Sequence, residues 1–211
     1  MKRYLILSLV ALLLAASLSS CRSNISDQTD DPSADLSSLY GEDGKYTGFS
    51  DIPEGYTADA AIADGCMVIE RESDGTNVHG VELSKTVRAV GEEHFKAFFD
   101  ASERGDAACL RVAYFKDGVG SSYYDLHFSG GRFTLFTLNE NGLSESESFS
   151  HLRKLDGMTG PAGDQKEHHY YVLTDSLDLT YEDVSWSYLS SSVPTVTTIP
   201  FVTLWFMNYF N

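Results

Sequence analysis

Arg111, Asp125 and His127 are the residues whose types and spacing could do chemistry in this sequence. Cys109 to Lys116 and Ser122 to Ser129 read as two strands flanking the glycine-rich turn Asp117–Gly120. With that turn centred near Val119, Arg111 falls across from His127 and Ala113 across from Asp125, all on one side of the hairpin. Thr134 joins them from the next strand, which a Gly130–Gly131 turn folds back. His79, just before Gly80, is a further candidate for the same sheet. A guanidinium, a carboxylate and an imidazole held together could grip an anionic ligand or orient a nucleophile. No serine or cysteine is placed as the third member, so no catalytic residue is assigned. The same residues also suit a cross-strand salt bridge beside a structural histidine.

Other motifs carry less. Cys66 and Cys109 each begin an expected strand, and a bridge between them would stabilise by roughly 4 kcal/mol on the chain-entropy model. Two buried free thiols are the alternative. There is no C-x-x-C and no helical H-x-x-x-H, so no metal site is assigned. Glu70-x-Glu72-x-Asp74-Gly75 has the flavour of a calcium loop, but Val81 stands where its bidentate glutamate belongs. Gly118-x-Gly120 lacks the third glycine of a dinucleotide loop and opens a strand instead of a helix. No cofactor is implied.

The elements that must position these residues follow from periodicity. Thr57 can cap a short helix through Asp64, with Gly65 as its stop. Cys66 to Glu70 reads as a strand, and Ser73-Asp74-Gly75 as a turn. Spacing predicts a long amphipathic helix from about Ser84 to Ser102, with Val87, Val90, Phe95, Phe98 and Phe99 on one face. Glu92 and Lys96 would pair across one turn of it, and Gly105 would end it. Alternation then sends Leu110, Val112, Tyr114, Tyr124, Leu126, Phe128, Phe133 and Leu135 to one side of a meander, onto that helix. Weaker strand signals follow at Phe149 to Leu155 and His168 to Thr174. Thr180-x-x-Asp183 resembles a capping box opening a short helix. The class expected is α+β: an antiparallel sheet meander with one long helix and short helices packed on one face. Val184 to Asn211 carries no charge. Pro194, Pro200 and its threonines favour a late core strand at Phe201 to Phe206 over a membrane span.

The N-terminus gives an address. Met1-Lys2-Arg3 is a positive start, Tyr4 to Leu18 is apolar, and the run ends in Leu18-Ser19-Ser20-Cys21. This resembles the lipobox of bacterial lipoproteins, in which the cysteine sulfur takes a diacylglyceryl group and becomes the mature N-terminus. The resemblance implies lipidation of Cys21, a bilayer as partner and a place on the extracytoplasmic face of the cell membrane, or on the outer membrane of a diderm. Two acyl chains suffice for stable anchoring. Residues 1–20 are then a signal peptide and 21–45 an acidic flexible tether. Residues 46–211 are expected to form a single globular α+β domain.

Composition narrows the partners. The 211 residues carry 15 Lys+Arg against 31 Asp+Glu, a formal charge of −16. That field repels phosphate backbones, which argues against a nucleic-acid partner. Asn77-Val78-His79-Gly80, the following helix, Leu110-Arg111-Val112-x-Tyr114 and Tyr124-Asp125-Leu126 resemble a family of uncharacterised lipoproteins from bacilli and clostridia. The likeness spans roughly Gly65 to Phe136; the turn Asp117–Gly120 departs from the family's acidic-Gly-Asp-Pro pattern. It implies that the Arg–Asp pairing belongs to the domain, and it implies no activity. The function expected is a membrane-anchored binding module for an envelope protein, peptide or small solute. The alternatives are a hydrolase using the Arg/Asp/His cluster, and a structural or inhibitory lipoprotein without a ligand pocket.

Overall fold

Alternating apolar residues through the middle of the chain build its central strands, β3 (Ala108–Lys116), β4 (Val119–Ser129) and β5 (Arg132–Asn139). The computed structural model describes residues 40–42, 45–78, 81–143, 147–161, 163–189 and 199–209. Cys21 and His79 therefore lie outside the described residues. Among those described, the fold is mixed α+β. A seven-stranded sheet runs β2-β1-β3-β4-β5-β6, with β7 also paired to β5, and a three-stranded sheet runs β10-β9-β8. The remaining strands are β1 (Met67–Val78), β2 (Val81–Val90), β6 (Gly142–Leu143), β7 (Glu147–Phe149), β8 (His151–Thr159), β9 (Lys166–Thr174) and β10 (Phe201–Thr203). Three helices, α1 (Ala58–Ala63), α2 (Glu92–Arg104) and α3 (Tyr181–Leu189), complete the described elements.

The apolar stripe assigned by alternation forms the main core. Leu110, Val112, Leu126, Phe128 and Phe133 are buried there, with Tyr114, Tyr124 and Leu135 packed against them. Phe95 and Phe98 of α2 meet this stripe, and so do Leu173 of β9 and Leu204, Phe206 and Met207. The smaller sheet and α2 thus share the inner face of the larger sheet. The uncharged C-terminal segment supplies a core strand, β10 on β9, followed by a 3-10 turn at Trp205–Tyr209. No helix among the described residues is long and apolar enough to cross a membrane.

Several local expectations hold. Thr57 accepts a hydrogen bond from the Ala60 amide at 3.2 Å and opens α1. Thr180 and Asp183 bond reciprocally at the start of α3, each side chain accepting from the other's backbone amide. Gly130 and Gly131, at φ 58° and 74°, close the two-residue turn between β4 and β5.

Others are corrected. The sheet is not wholly antiparallel: β1 and β3 run parallel, Met67 beside Val112 through Arg71 beside Lys116. The helix expected from Ser84 begins only at Glu92, because Val81–Val90 is the strand β2, antiparallel to β1. Thr86, Val87 and Val90 are β-branched and suit a pleated surface better than a helix. Gly91 then adopts φ 93°, and a Cβ there would lie 2.9 Å from the Cα of Met67. Lys96 pairs forward with Asp100 at 2.7 Å instead of back to Glu92. Ser73-Asp74-Gly75 does not end its strand; it becomes an irregularity inside β1, where the register with β2 shifts between Ser73 and Asn77. Nor do the helices share one face of the larger sheet. α1 lies on the outer face, over Cys66, Val68, Ala113 and Phe115, opposite α2.

The Cys66–Cys109 bridge is also corrected, since Cys66 is a free, buried thiol. The β1–β3 register places Cys66 near the level of Arg111, two residues beyond Cys109. Neighbouring strands lie about 4.8 Å apart and rise about 3.3 Å per residue, which separates the two Cα atoms by about 8 Å. A disulfide does not span that distance.

Candidate functional site

Two neighbouring strands set the geometry of the polar cluster. The β3–β4 hairpin turns at Asp117-Gly118, both with positive φ (52° and 77°), so the loop is two residues long and Lys116 faces Val119. A bulge at Ser121 then shifts the register, and Arg111 lies opposite Asp125 while Cys109 lies opposite His127. The expected pairing of Arg111 with His127 is therefore off by two residues. Side chains repeat every second residue along a strand, so this slip leaves Arg111, Asp125 and His127 on the face expected for them. Thr134 sits opposite His127 on β5 and completes the group.

The cluster is buried. Asp125 is 0% exposed, and Arg111, His127 and Thr134 are each 6% exposed. What covers them is the stretch just before α1: Lys45 to Ile52, with a 3-10 turn at Gly48–Asp51. Arg111 grips Asp125 with both arms of its fork, Nε to Oδ1 and Nη2 to Oδ2, each at 2.7 Å. Its Nη1 donates to Asp51 Oδ1 at 2.7 Å, and Nη2 also donates to the Gly48 carbonyl. Phe49 lies against the same guanidinium, 5.5 Å from ring centroid to Cζ. Tyr46 donates its phenol proton to Asp125 Oδ2 at 2.6 Å. Its 2.9 Å contact with His127 Nε2 is then one in which the imidazole donates. The Tyr46 ring stacks on Phe136 at 3.7 Å and meets the His127 ring edge-on.

These contacts set the protonation states. Burial works against the charge of Arg111, but its bonds to Asp125 and Asp51 outweigh that and raise its pKa further. Tyr46 is pushed far above the usual phenol range by burial and then by the Asp125 carboxylate. Burial lowers the pKa of His127; Asp125 opposes the shift and Arg111 adds to it, which favours the neutral imidazole. On the same outer face, burial pushes the Cys66 thiol up to about 11. Among the described residues no group of His, Cys, Asp and Glu is arranged to hold a metal ion.

The structure thus brings together Arg111, Asp125, His127 and Thr134, while His79 lies outside the described residues. It adds Tyr46, Gly48, Phe49, Asp51 and Phe136. The sequence held one signal for them, the aromatic pair Tyr46 and Phe49 directly after an acidic, aromatic-poor stretch. The side of the sheet that carries Arg111, Asp125 and His127 is covered. Chemically, the hydroxyl that meets the imidazole is a phenol whose proton is committed to a carboxylate, and that carboxylate is committed to Arg111. The sheet side thus holds a phenol and a carboxylate of the chain itself. No family model, curated protein or solved structure matches the chain.

Proposed function

We propose that this chain is a lipid-anchored extracytoplasmic binding module. Its ligand is a protein, peptide or small solute of the cell envelope, and its recognition surface is the outer face of the larger sheet around Arg111 and Asp125. The observation that carries the reading is the seating of Tyr46 and Asp51 on that pair: a phenol and a carboxylate held by fixed groups at the end of the stretch that leads from Cys21. A hydrolase would need a nucleophile activated by His127, and Tyr46 is unsuited because its pKa is driven upward. Anchoring rests on Leu18-Ser19-Ser20-Cys21, and the acidic residues after Cys21 hold the module off an anionic bilayer.

Two measurements test the two halves of the proposal. Expressed in a bacterial host, the chain should pellet with membranes and carry diacylglyceryl at Cys21 by intact mass, and Cys21→Ser should release it. A mature chain recovered without acyl groups at Cys21 sinks the anchor. For binding, the thermal midpoint of the Cys21→Ser chain is followed against pools of peptides, sugars and cell-wall fragments. A ligand at 100 times its dissociation constant adds about 2.7 kcal/mol, a shift of several degrees. A pool that raises the midpoint supports the module; a midpoint unmoved by every pool removes small ligands and peptides from it.

A further inference from the structure

Lys45 to Ile52 lies over the outer face of the larger sheet, above Arg111 and Asp125. It forms no strand of the larger sheet; its backbone makes the 3-10 turn Gly48–Asp51 and an isolated bridge between Tyr46 and Tyr40. Its polar hold on the sheet includes the Tyr46 hydroxyl, the Asp51 carboxylate and the Gly48 carbonyl, and Phe49 and Ile52 pack beside Tyr46 and Phe136. Beneath it the sheet side is already built without its help. Arg111 and Asp125 are paired across β3 and β4 by two bonds of their own, and His127, Thr134 and Phe136 are fixed by the β4–β5 register. The chain beyond it passes through Pro53-Glu54-Gly55, with Gly55 at φ 73° and open space where a Cβ would sit. α1 starts afterwards on its own Thr57 cap. Asp51 remains 45% exposed at the rim of the site while the Arg111 side chain under it is 7% exposed.

We propose that residues 45–52 are a displaceable internal ligand occupying a peptide-recognition slot, and that the slot takes in trans a peptide presenting a tyrosine and, five residues later, a carboxylate. The inference rests on the binding-module reading and deepens it by naming the ligand class. The slot requires four things: a ring stacked on Phe136, a hydroxyl that donates to Asp125 and accepts from His127, a carboxylate for Arg111 Nη1, and a backbone carbonyl for Nη2. Each is a group that residues 45–52 supply in cis. A phenylalanine in the tyrosine position would remove one of the two bonds to Asp125 Oδ2 and leave the imidazole N–H without its partner, which costs about 10- to 100-fold in affinity. The net charge of −16 favours basic residues flanking the peptide's tyrosine and carboxylate.

The test uses the Cys21→Ser chain, a fluorescent peptide with the sequence of residues 45–52, and its tyrosine-to-phenylalanine analogue. A Tyr46→Ala/Asp51→Ala variant removes both internal anchors and leaves Arg111, Asp125 and His127 in place. The variant should bind the peptide saturably, the analogue 10- to 100-fold less tightly, and the parent chain at least tenfold less tightly, because a tethered competitor acts at millimolar effective concentration. A variant that melts cooperatively and binds no peptide overturns the proposal, as does a parent chain that binds equally well. Should the double variant not fold, hydrogen exchange on the parent chain decides. Amides of residues 46–52 that exchange by local opening while β3 and β4 stay protected support displacement; exchange only through global unfolding refutes it. If this peptide fails but another pool still raises the thermal midpoint, the slot is wrong and the module stands. Failure of every ligand sinks both.

Discussion

Asp125 accepts three hydrogen bonds with no exposure to water, and so it is the residue on which the cluster depends. Asp125→Asn leaves the buried guanidinium with only the half-exposed Asp51 as counter-charge and should lower the unfolding free energy by about 3 kcal/mol in urea titration. Tyr46→Phe removes one hydroxyl, keeps the stack on Phe136, and should cost about 1–3 kcal/mol. If the two variants prove equally stable, the ion pair is not what matters. His127, with its folded pKa lowered, has the same pH direction as a paired carboxylate. Its folded pKa is lowered from 6.5, so the neutral form is favoured by folding and the unfolded chain binds more protons as pH falls. The stability tied to neutrality is complete above about pH 6.5 and is lost as pH drops toward the lowered folded value. The groups facing the imidazole are Tyr46, Asp125, Arg111 and Thr134. Denaturation midpoints should therefore fall between pH 7 and 5, and His127→Gln should flatten that fall. An unchanged slope in the variant assigns the acid sensitivity elsewhere. At this scale the sequence showed half the site. Arg111, Asp125 and His127 could be placed on one face because parity survives a two-residue slip. Tyr46 and Asp51 could not, because they reach the cluster from about sixty to eighty residues away and no local pattern encodes that distance.

Elements were legible where one local rule decided them. Thr57 and the Thr180–Asp183 pair are caps that need only their own next three residues, and Gly130-Gly131 is a turn whose backbone needs positive φ at both positions. Ser84 to Val90 failed because Val87 and Val90 continue the helical spacing of the apolar face of α2, and the partner strand that settles the matter lies earlier in the chain. The residue that separates the two elements is Gly91. Its φ of 93° excludes a side chain at little cost, and its backbone passes against Met67 of β1, so the turn into α2 is made at close quarters. Gly91→Ala combines left-handed strain, about 1–2 kcal/mol, with a contact to a backbone atom that cannot swing aside. A loss of at least 2 kcal/mol in chemical denaturation is expected, against about 1–2 kcal/mol for alanine at Gly105, where φ is 81° but nothing lies near a Cβ. Equal effects at the two glycines would show that close packing against β1 is irrelevant.

At the scale of the molecule, the two sheets hold together through side chains from distant parts of the sequence. Phe95 of α2 meets Tyr171 of β9 edge-on at 4.7 Å, and Trp205 meets both Tyr114 of β3 and Tyr124 of β4. Phe206, 1% exposed, lies in the same core as Met67 and Leu126 of the larger sheet. The uncharged C-terminal stretch is thus the joint between the sheets, which explains why it carries β-branched and aromatic residues and no charge. Composition showed that the stretch was apolar, yet length and hydropathy alone fit a membrane span as well as a core strand. Only the prolines and threonines favoured the strand. Phe206→Ala should open a cavity shared by both sheets and cost about 3–5 kcal/mol. Because that core is common to both, the loss should appear as one cooperative transition at lower denaturant, with fluorescence and far-UV dichroism moving together. Two separated transitions, with β8–β10 melting first, would instead make the smaller sheet an independent unit. The outer face under residues 45–52 would then be unaffected by anything done to the C-terminus.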